Sequence, residues 1–335
     1  MQFPTNSALL HSGCFLILSL TRRRLRNGGA VAVITGALLA ATPMVVPAQA
    51  ASPTVSAKGA FLLDSGTGKT LYSKSSNYRR EMASTTKIMT AAVVLSTKNL
   101  DLNRKVTVKK AYPDYVQRVG GSSAYLYVGD KLTVRGMLNA MMAPSGCDAA
   151  YALADTFGKG STRTARKADF IKKMNAKARS LGLTNTKYDS FDGISAKGQN
   201  YTTPRDLAKL TRYAMKKSVF RSIVKAPQGK ATATAANGRT RWYTWNNTNL
   251  LVRPKPGGYA YPGAIGVKTG TGTKAGKCLV FAATRNGKTV IGVLLNDEER
   301  YTDSMKLMDR YLGSPSKSTG LSSRTAAKPI ADVLD

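Results

Sequence analysis

Alternating strand patterns stand near both ends of the sequence and helical patterns fill the middle, which restricts the fold to a sheet closed by distant segments around an insertion. Near the front, residues 60–63 and 70–73 read as two strands joined by a turn at Ser65-Gly66-Thr67-Gly68. Toward the end, 264–269, 278–284 and 289–295 read as three more, with Asn286-Gly287 as a two-residue hairpin turn. Between them the apolar spacing predicts helices over 134–142, 148–157 and 167–181, the last stopped by Gly182. A further helix starts at Thr203-Pro204-Arg205-Asp206, with threonine as N-cap, proline first in the helix and an acid at the capping-box position. A last helix covers about 301–312, and 314–335 reads as a polar tail. No internal repeat is present. The expected division is 51–95 and 222–313 as two parts of one sheet domain, with 96–221 as an inserted helical domain and a cleft between them.

The first fifty residues read as a removable export signal. Arg22, Arg23, Arg24 and Arg26 precede a largely apolar stretch over 30–46, and Ala48-Gln49-Ala50 fits a small-x-small cleavage site, so the mature chain is expected to start at Ala51. Thr21-Arg22-Arg23-Arg24-Leu25 fits an ordinary basic n-region and loosely resembles a twin-arginine motif. The protein is therefore expected outside the cytoplasm: secreted, in the wall, or on the outer face of the cytoplasmic membrane. Formal charge is +33, and removing four arginines leaves 47 basic against 18 acidic residues, or +29. For an exported protein such a field favours anionic wall polymers or a membrane surface over nucleic acid. The alternative is that scattered lysines serve solubility alone.

The only histidine, His11, lies in the signal, so a catalytic serine in the mature chain cannot use imidazole as its base. Ser84-Thr85-Thr86-Lys87 supplies another solution, a lysine one helical turn from a serine. Ser84 stands before Ile88, Met89, Ala92 and Leu95, one apolar helical stripe, which places it at a helix N-terminus. The same four-residue pattern recurs at Ser222–Lys225 and Ser314–Lys317, so spacing alone is weak evidence. Order and context select Ser84: Ser145-Gly146-Cys147 follows in a turn between two helices, and Lys268-Thr269-Gly270 ends a strand. Only Cys147 and Cys278 survive in the mature chain, too few for a disulfide framework, and without histidine they make no zinc site. No metal or cofactor is expected.

These three motifs in this order resemble the low-molecular-mass penicillin-binding proteins of the serine D-alanyl-D-alanine carboxypeptidase and transpeptidase family. The resemblance runs from about Gly59 to Gly313 and includes Asn247-Thr248-Asn249-Leu250-Leu251 before the third motif. It is nearest to the small actinobacterial transpeptidase type, which also has Ser-Gly-Cys second. It implies an α/β fold with a mainly antiparallel five-stranded sheet flanked by helices and an inserted all-helical domain. It also implies cleavage at the D-Ala-D-Ala end of peptidoglycan stem peptides and covalent inhibition by β-lactams, with a monomer as the default state. Chemistry and resemblance together assign Ser84 as nucleophile, Lys87 as base and Ser145 as proton relay. The N–H groups of Ser84 and Thr271 would form the oxyanion hole, and Lys268, Thr269, Gly270 and Thr271 would line the substrate wall. Arg300 would be either a carboxylate-binding arginine or an ordinary helix-end charge.

Cys147 departs from the family, where asparagine is usual; a thiol is a poor substitute for a carboxamide, so slow hydrolysis relative to amine transfer is expected. Cys147 as the nucleophile is the competing reading, disfavoured because neither a histidine nor an activating helix position is evident. A β-lactamase would need a water-activating glutamate between the second and third motifs, and the only glutamates are Glu81, Glu298 and Glu299. A non-enzymatic wall-binding or penicillin-sensing module is the remaining alternative. Trp242 and Trp245 read either as a sugar-stacking surface or as packing beside a strand.

Overall fold

The computed structural model describes residues 52–254 and 258–315, so the expected signal and nearly all of the expected tail lie outside the described residues. Strands β1 (Gly59–Asp64), β2 (Thr70–Lys74) and β3 (Arg80–Glu81) lead through a 3-10 turn (Ala83–Thr86) into helix α1 (Lys87–Val94). There follow β4 (Lys105–Thr107), α2 (Ala111–Val119), β5 (Lys131–Thr133), α3 (Val134–Met142), α4 (Cys147–Phe157) and α5 (Arg163–Ser180). Next come β6 (Tyr201–Thr202), α6 (Pro204–Met215), α7 (Ser218–Lys225) and the hairpin β7 (Gln228–Thr234) and β8 (Thr240–Asn246). The last elements are β9 (Ala264–Gly272), β10 (Gly276–Arg285), β11 (Lys288–Leu295) and α8 (Arg300–Leu312).

The five strands expected from the sequence form one antiparallel sheet in the order β2-β1-β11-β10-β9. β1 lies inside it, paired along its length with β11 from Gly59 opposite Leu295 to Asp64 opposite Val290. Strand alternation then sorts its side chains between two cores. Phe61 and Leu63 pack with Leu207, Leu210 and Ala214 of α6, whereas Ala60 and Leu62 pack with Leu307, Met308 and Leu312 of α8. Burial on both faces explains why GAFLLD is almost wholly apolar. Asn286 and Gly287, at φ 50° and 71°, make the tight turn between β10 and β11 that their residue types predict.

All eight side chains of α1 are buried, so this helix lies within the core and holds its first residue, Lys87, in a fixed place. α6 starts as predicted, with Thr203 Oγ1 accepting from Asp206 N at 3.1 Å and Pro204 opening the helix. The Asp206 carboxylate does not close a capping box. It accepts instead from Asn185 N and Thr186 Oγ1, both at 2.9 Å, and so ties the preceding loop to the helix.

Beside its helices the middle of the chain carries a second sheet, four-stranded, in the order β4-β5-β7-β8. The β7–β8 hairpin pairs with β5 through Lys131 opposite Thr234 and Leu132 opposite Ala233, and not with any strand of the larger sheet. Its inward residues Ala233, Tyr243 and Trp245 join the core that holds α3, while Lys230, Thr232, Trp242 and Thr244 face solvent.

Candidate active site

Ser84 lies in the 3-10 turn just before α1, three residues ahead of Lys87 rather than as the helix N-cap itself. One turn of chain brings Lys87 Nζ to 2.8 Å from Ser84 Oγ. Ser84 is 7% exposed and Lys87 is 0% exposed, so the pair is shielded from bulk water while the serine remains reachable. Ala83, immediately before the nucleophile, has φ 44°, an uncommon left-handed conformation for a residue with a side chain.

The second motif meets the same lysine from the turn between α3 and α4. Lys87 Nζ is 3.3 Å from Ser145 Oγ and 3.4 Å from Cys147 Sγ. Ser145 also has positive φ, 68°, in the turn between α3 and α4. Gly146 is needed there because a Cβ would stand 2.7 Å from Ala124 Cβ, Ala140 O and Asp148 Oδ1. The buried Asp148 carboxylate braces the facing loop by accepting from Ala124 N at 3.0 Å and Ser123 Oγ at 3.1 Å.

Cys147 is the first residue of α4, a position the sequence reading did not recognise as helical. Such a position favours a thiolate, yet burial wins. Desolvation pushes the thiol up to about 12 despite the opposing effect of Lys87, and Asp192 adds to the rise. Burial thus favours the protonated thiol over the thiolate at Cys147. Cys147 and Cys278 are both buried.

The third motif forms the opposite wall. Lys268 and Thr269 on β9 are buried, and Lys268 Nζ donates to Thr269 O at 3.1 Å. Thr269 Oγ1 shares a 2.6 Å hydrogen bond with Thr248 Oγ1 of the Asn247–Leu251 stretch. Gly270 brings β9 against the nucleophile turn: a Cβ would stand 3.0 Å from Met82 O, 3.1 Å from Ser84 N and 3.2 Å from Thr85 N. Arg300, first residue of α8, is 2% exposed, which decides against an ordinary surface charge. Its Nη1 donates to Gly270 O, Thr271 Oγ1 and Cys278 O at 3.1–3.2 Å and so clamps the end of β9.

One group in this cluster was absent from the sequence reading. Asp192 is 0% exposed, accepts from Tyr115 OH at 2.9 Å and Ile194 N at 3.0 Å, and faces Lys87 and Cys147. Burial raises its pKa, with Lys87 and its hydrogen bonds opposing. An isolated aspartate in a polar loop has no sequence signal for such a place; only its neighbours Phe191 and Gly193 hint at a structured turn. No group of residues suited to hold a metal ion occurs among the described residues.

A buried serine hydroxyl held by a buried lysine, with a second serine on that lysine and no histidine among the described residues, is an arrangement suited to lysine-assisted serine acyl transfer. Residues 46–299 match the family model described as D-alanyl-D-alanine carboxypeptidase, and the chain belongs to that family. It is 52% identical over 292 residues to the D-alanyl-D-alanine carboxypeptidase of Streptomyces sp. strain K15, covering 85% of this chain and 98% of that one. Against the D-alanyl-D-alanine carboxypeptidase DacB2 of Mycobacterium tuberculosis it is 33% identical over 232 residues, 69% and 72% of the two chains. The crystal structure of the Streptomyces K15 DD-transpeptidase superposes with a TM-score of 0.74 at 53% identity, covering 77% of this chain and 98% of that one. The chain is accordingly a serine-type D-Ala-D-Ala carboxypeptidase/transpeptidase with the fold of that enzyme. No helix among the described residues is long and apolar enough to cross a membrane.

Proposed function

We propose that Ser84 Oγ attacks the carbonyl between the two terminal D-alanines of a peptidoglycan stem peptide while Lys87 Nζ takes the hydroxyl proton. The new Oγ–C bond gives a tetrahedral oxyanion held by the N–H groups of Ser84 and Thr271; the close approach of β9 to Ser84 N at Gly270 supports this pairing. The C–N bond then breaks, and the proton passes from Lys87 through Ser145 to the leaving D-alanine amine. Water or an acceptor amine resolves the acyl-serine, giving hydrolysis or transpeptidation. Lys268, Thr269 and Thr271 orient the substrate's terminal carboxylate. Arg300 holds that wall in place through Gly270 O and Thr271 Oγ1 and adds positive charge behind it. The observation that carries this reading is the 2.8 Å contact between Lys87 Nζ and Ser84 Oγ within a buried site.

β-Lactams enter as substrates whose acyl-enzyme persists. Asp192, a carboxylate facing Lys87 between the second and third motifs, already accepts hydrogen bonds on both oxygens, which supports a stable adduct over turnover. The enzyme works as an exported monomer outside the cytoplasm, its basic surface turned to the anionic wall or membrane. Intact-mass spectrometry after incubation with benzylpenicillin tests this. A stable adduct mapping to Ser84, absent from folded Ser84→Ala and nearly absent from Lys87→Ala, is expected. Rapid drug hydrolysis without adduct, or labelling retained in Ser84→Ala, would refute it.

A further inference from the structure

The pleat of β8 sends its two tryptophans to opposite fates. Trp245 is 7% exposed, stacks on Tyr243 with centroids 5.2 Å apart, and donates to Ala124 O at 2.8 Å, the packing alternative of the sequence reading. Trp242 is 79% exposed on the outer face. One exposed aromatic by itself is ordinary; what sets Trp242 apart is the sheet face it shares with hydroxyls and lysines. The residues around it define the partner. Thr232 lies directly opposite Trp242, and Lys230, opposite Thr244, is its diagonal cross-strand neighbour at a separation of about 7–8 Å. Lys131 and Lys105 continue the exposed face onto β5 and β4. The four strands contain no aspartate or glutamate, so nothing on them neutralises these lysines.

We propose that this outer face is a second, non-catalytic site that holds an uncross-linked glycan strand of the cell wall. The inference rests on the reading of the chain as a cell-wall peptidase. A pyranose ring lays its C–H face on the Trp242 indole, threonine hydroxyls meet sugar hydroxyls, and free carboxylates of stem peptides meet Lys230, Lys131 and Lys105. A lipid surface fits poorly, because the face offers one aromatic among hydroxyls and no aliphatic side chains to bury. Binding the polymer here raises the local concentration of its own stem peptides at Ser84 without any new contact in the cleft.

The test is co-sedimentation of the Ser84→Ala chain with insoluble peptidoglycan freed of covalently attached phosphate polymers, with anionic lipid vesicles and polymer-bearing walls as parallel arms. Expected are pelleting with bare peptidoglycan, about fivefold weaker binding after Trp242→Ala, and loss of salt sensitivity in Lys105→Ser/Lys131→Ser/Lys230→Ser. The same substitutions in the chain that keeps Ser84 leave benzylpenicillin acylation unchanged. Trp242→Ala pelleting like the parent, or the parent binding only vesicles or only polymer-bearing walls, overturns the inference. Failure of benzylpenicillin acylation in the parent would instead refute the catalytic reading, since sedimentation does not depend on Ser84.

Discussion

Replacing Gly270 by alanine tests whether contact between β9 and the nucleophile turn sets the catalytic geometry. The added Cβ would stand 3.0 Å from Met82 O, 3.1 Å from Ser84 N and 3.2 Å from Thr85 N. All three are backbone atoms, so no flexible side chain can swing aside, and strand and turn must part by a few tenths of an ångström. Overpacking of this kind costs about 1–3 kcal/mol, against which removing a strand glycine returns about 0.5–1 kcal/mol. The variant should therefore fold with a modestly lower melting temperature. A misplacement of 1 Å costs about a hundredfold in rate, so a few tenths should slow acylation by about three- to tenfold. The control lies on the same strand: at Gly272 an added Cβ would meet only Ala83 Cβ at 3.7 Å and Ala275 Cβ at 3.8 Å, ordinary contact. Stopped-flow acylation by a chromogenic penicillin, with thermal melts of both variants, separates geometry from stability. Unchanged acylation in Gly270→Ala, or equal slowing in Gly272→Ala, would refute the argument.

Cys147→Asn should restore a carboxamide beside Lys87 and increase hydrolysis relative to transfer onto an added amine; a product ratio unchanged from the parent would count against that role for the thiol. Asp155 is buried, which raises its pKa, but hydrogen bonds from Arg166, Tyr112 and Lys109 outweigh burial and hold it below the ordinary carboxylate value. A depressed folded value contributes stability above the unfolded one and loses it as pH falls through the folded one. Asp155→Asn should thus melt several degrees lower at pH 7, with the gap closing as the pH falls below the ordinary carboxylate value; a gap independent of pH would refute it.

Much of the fold was legible because its signals are local. The helix over 134–142 fell where its apolar stripe runs, Thr203-Pro204 opened α6, and Asn286-Gly287 turned β10 into β11. In the site, Ser84, Lys87, Ser145, Cys147 and β9 came together from motifs whose order carried the information. The second sheet was not legible, because β4 and β5 have three residues each and β7 reads QGKATAT, with too little apolar alternation to announce a half-buried strand. Asp192 escaped for another reason: its place depends on a loop folding back against Tyr115, Cys147 and Lys87, contacts that no sequence window contains. Positive φ at Ala83 and Ser145 is likewise imposed by surroundings, since neither residue type prefers it.

The place of β1 inside the sheet, between β2 and β11, bears on when the catalytic centre can exist. Ser84 and Lys87 follow β1 early in synthesis, but the sheet that supports them waits for β11, and β9 can join that sheet only through β10 and β11. A nascent chain released as far as β10 therefore holds every catalytic side chain and no assembled wall opposite them. Closing so long a loop is slow relative to local helix formation. The order of strands thus delays acylating power until the chain is nearly complete.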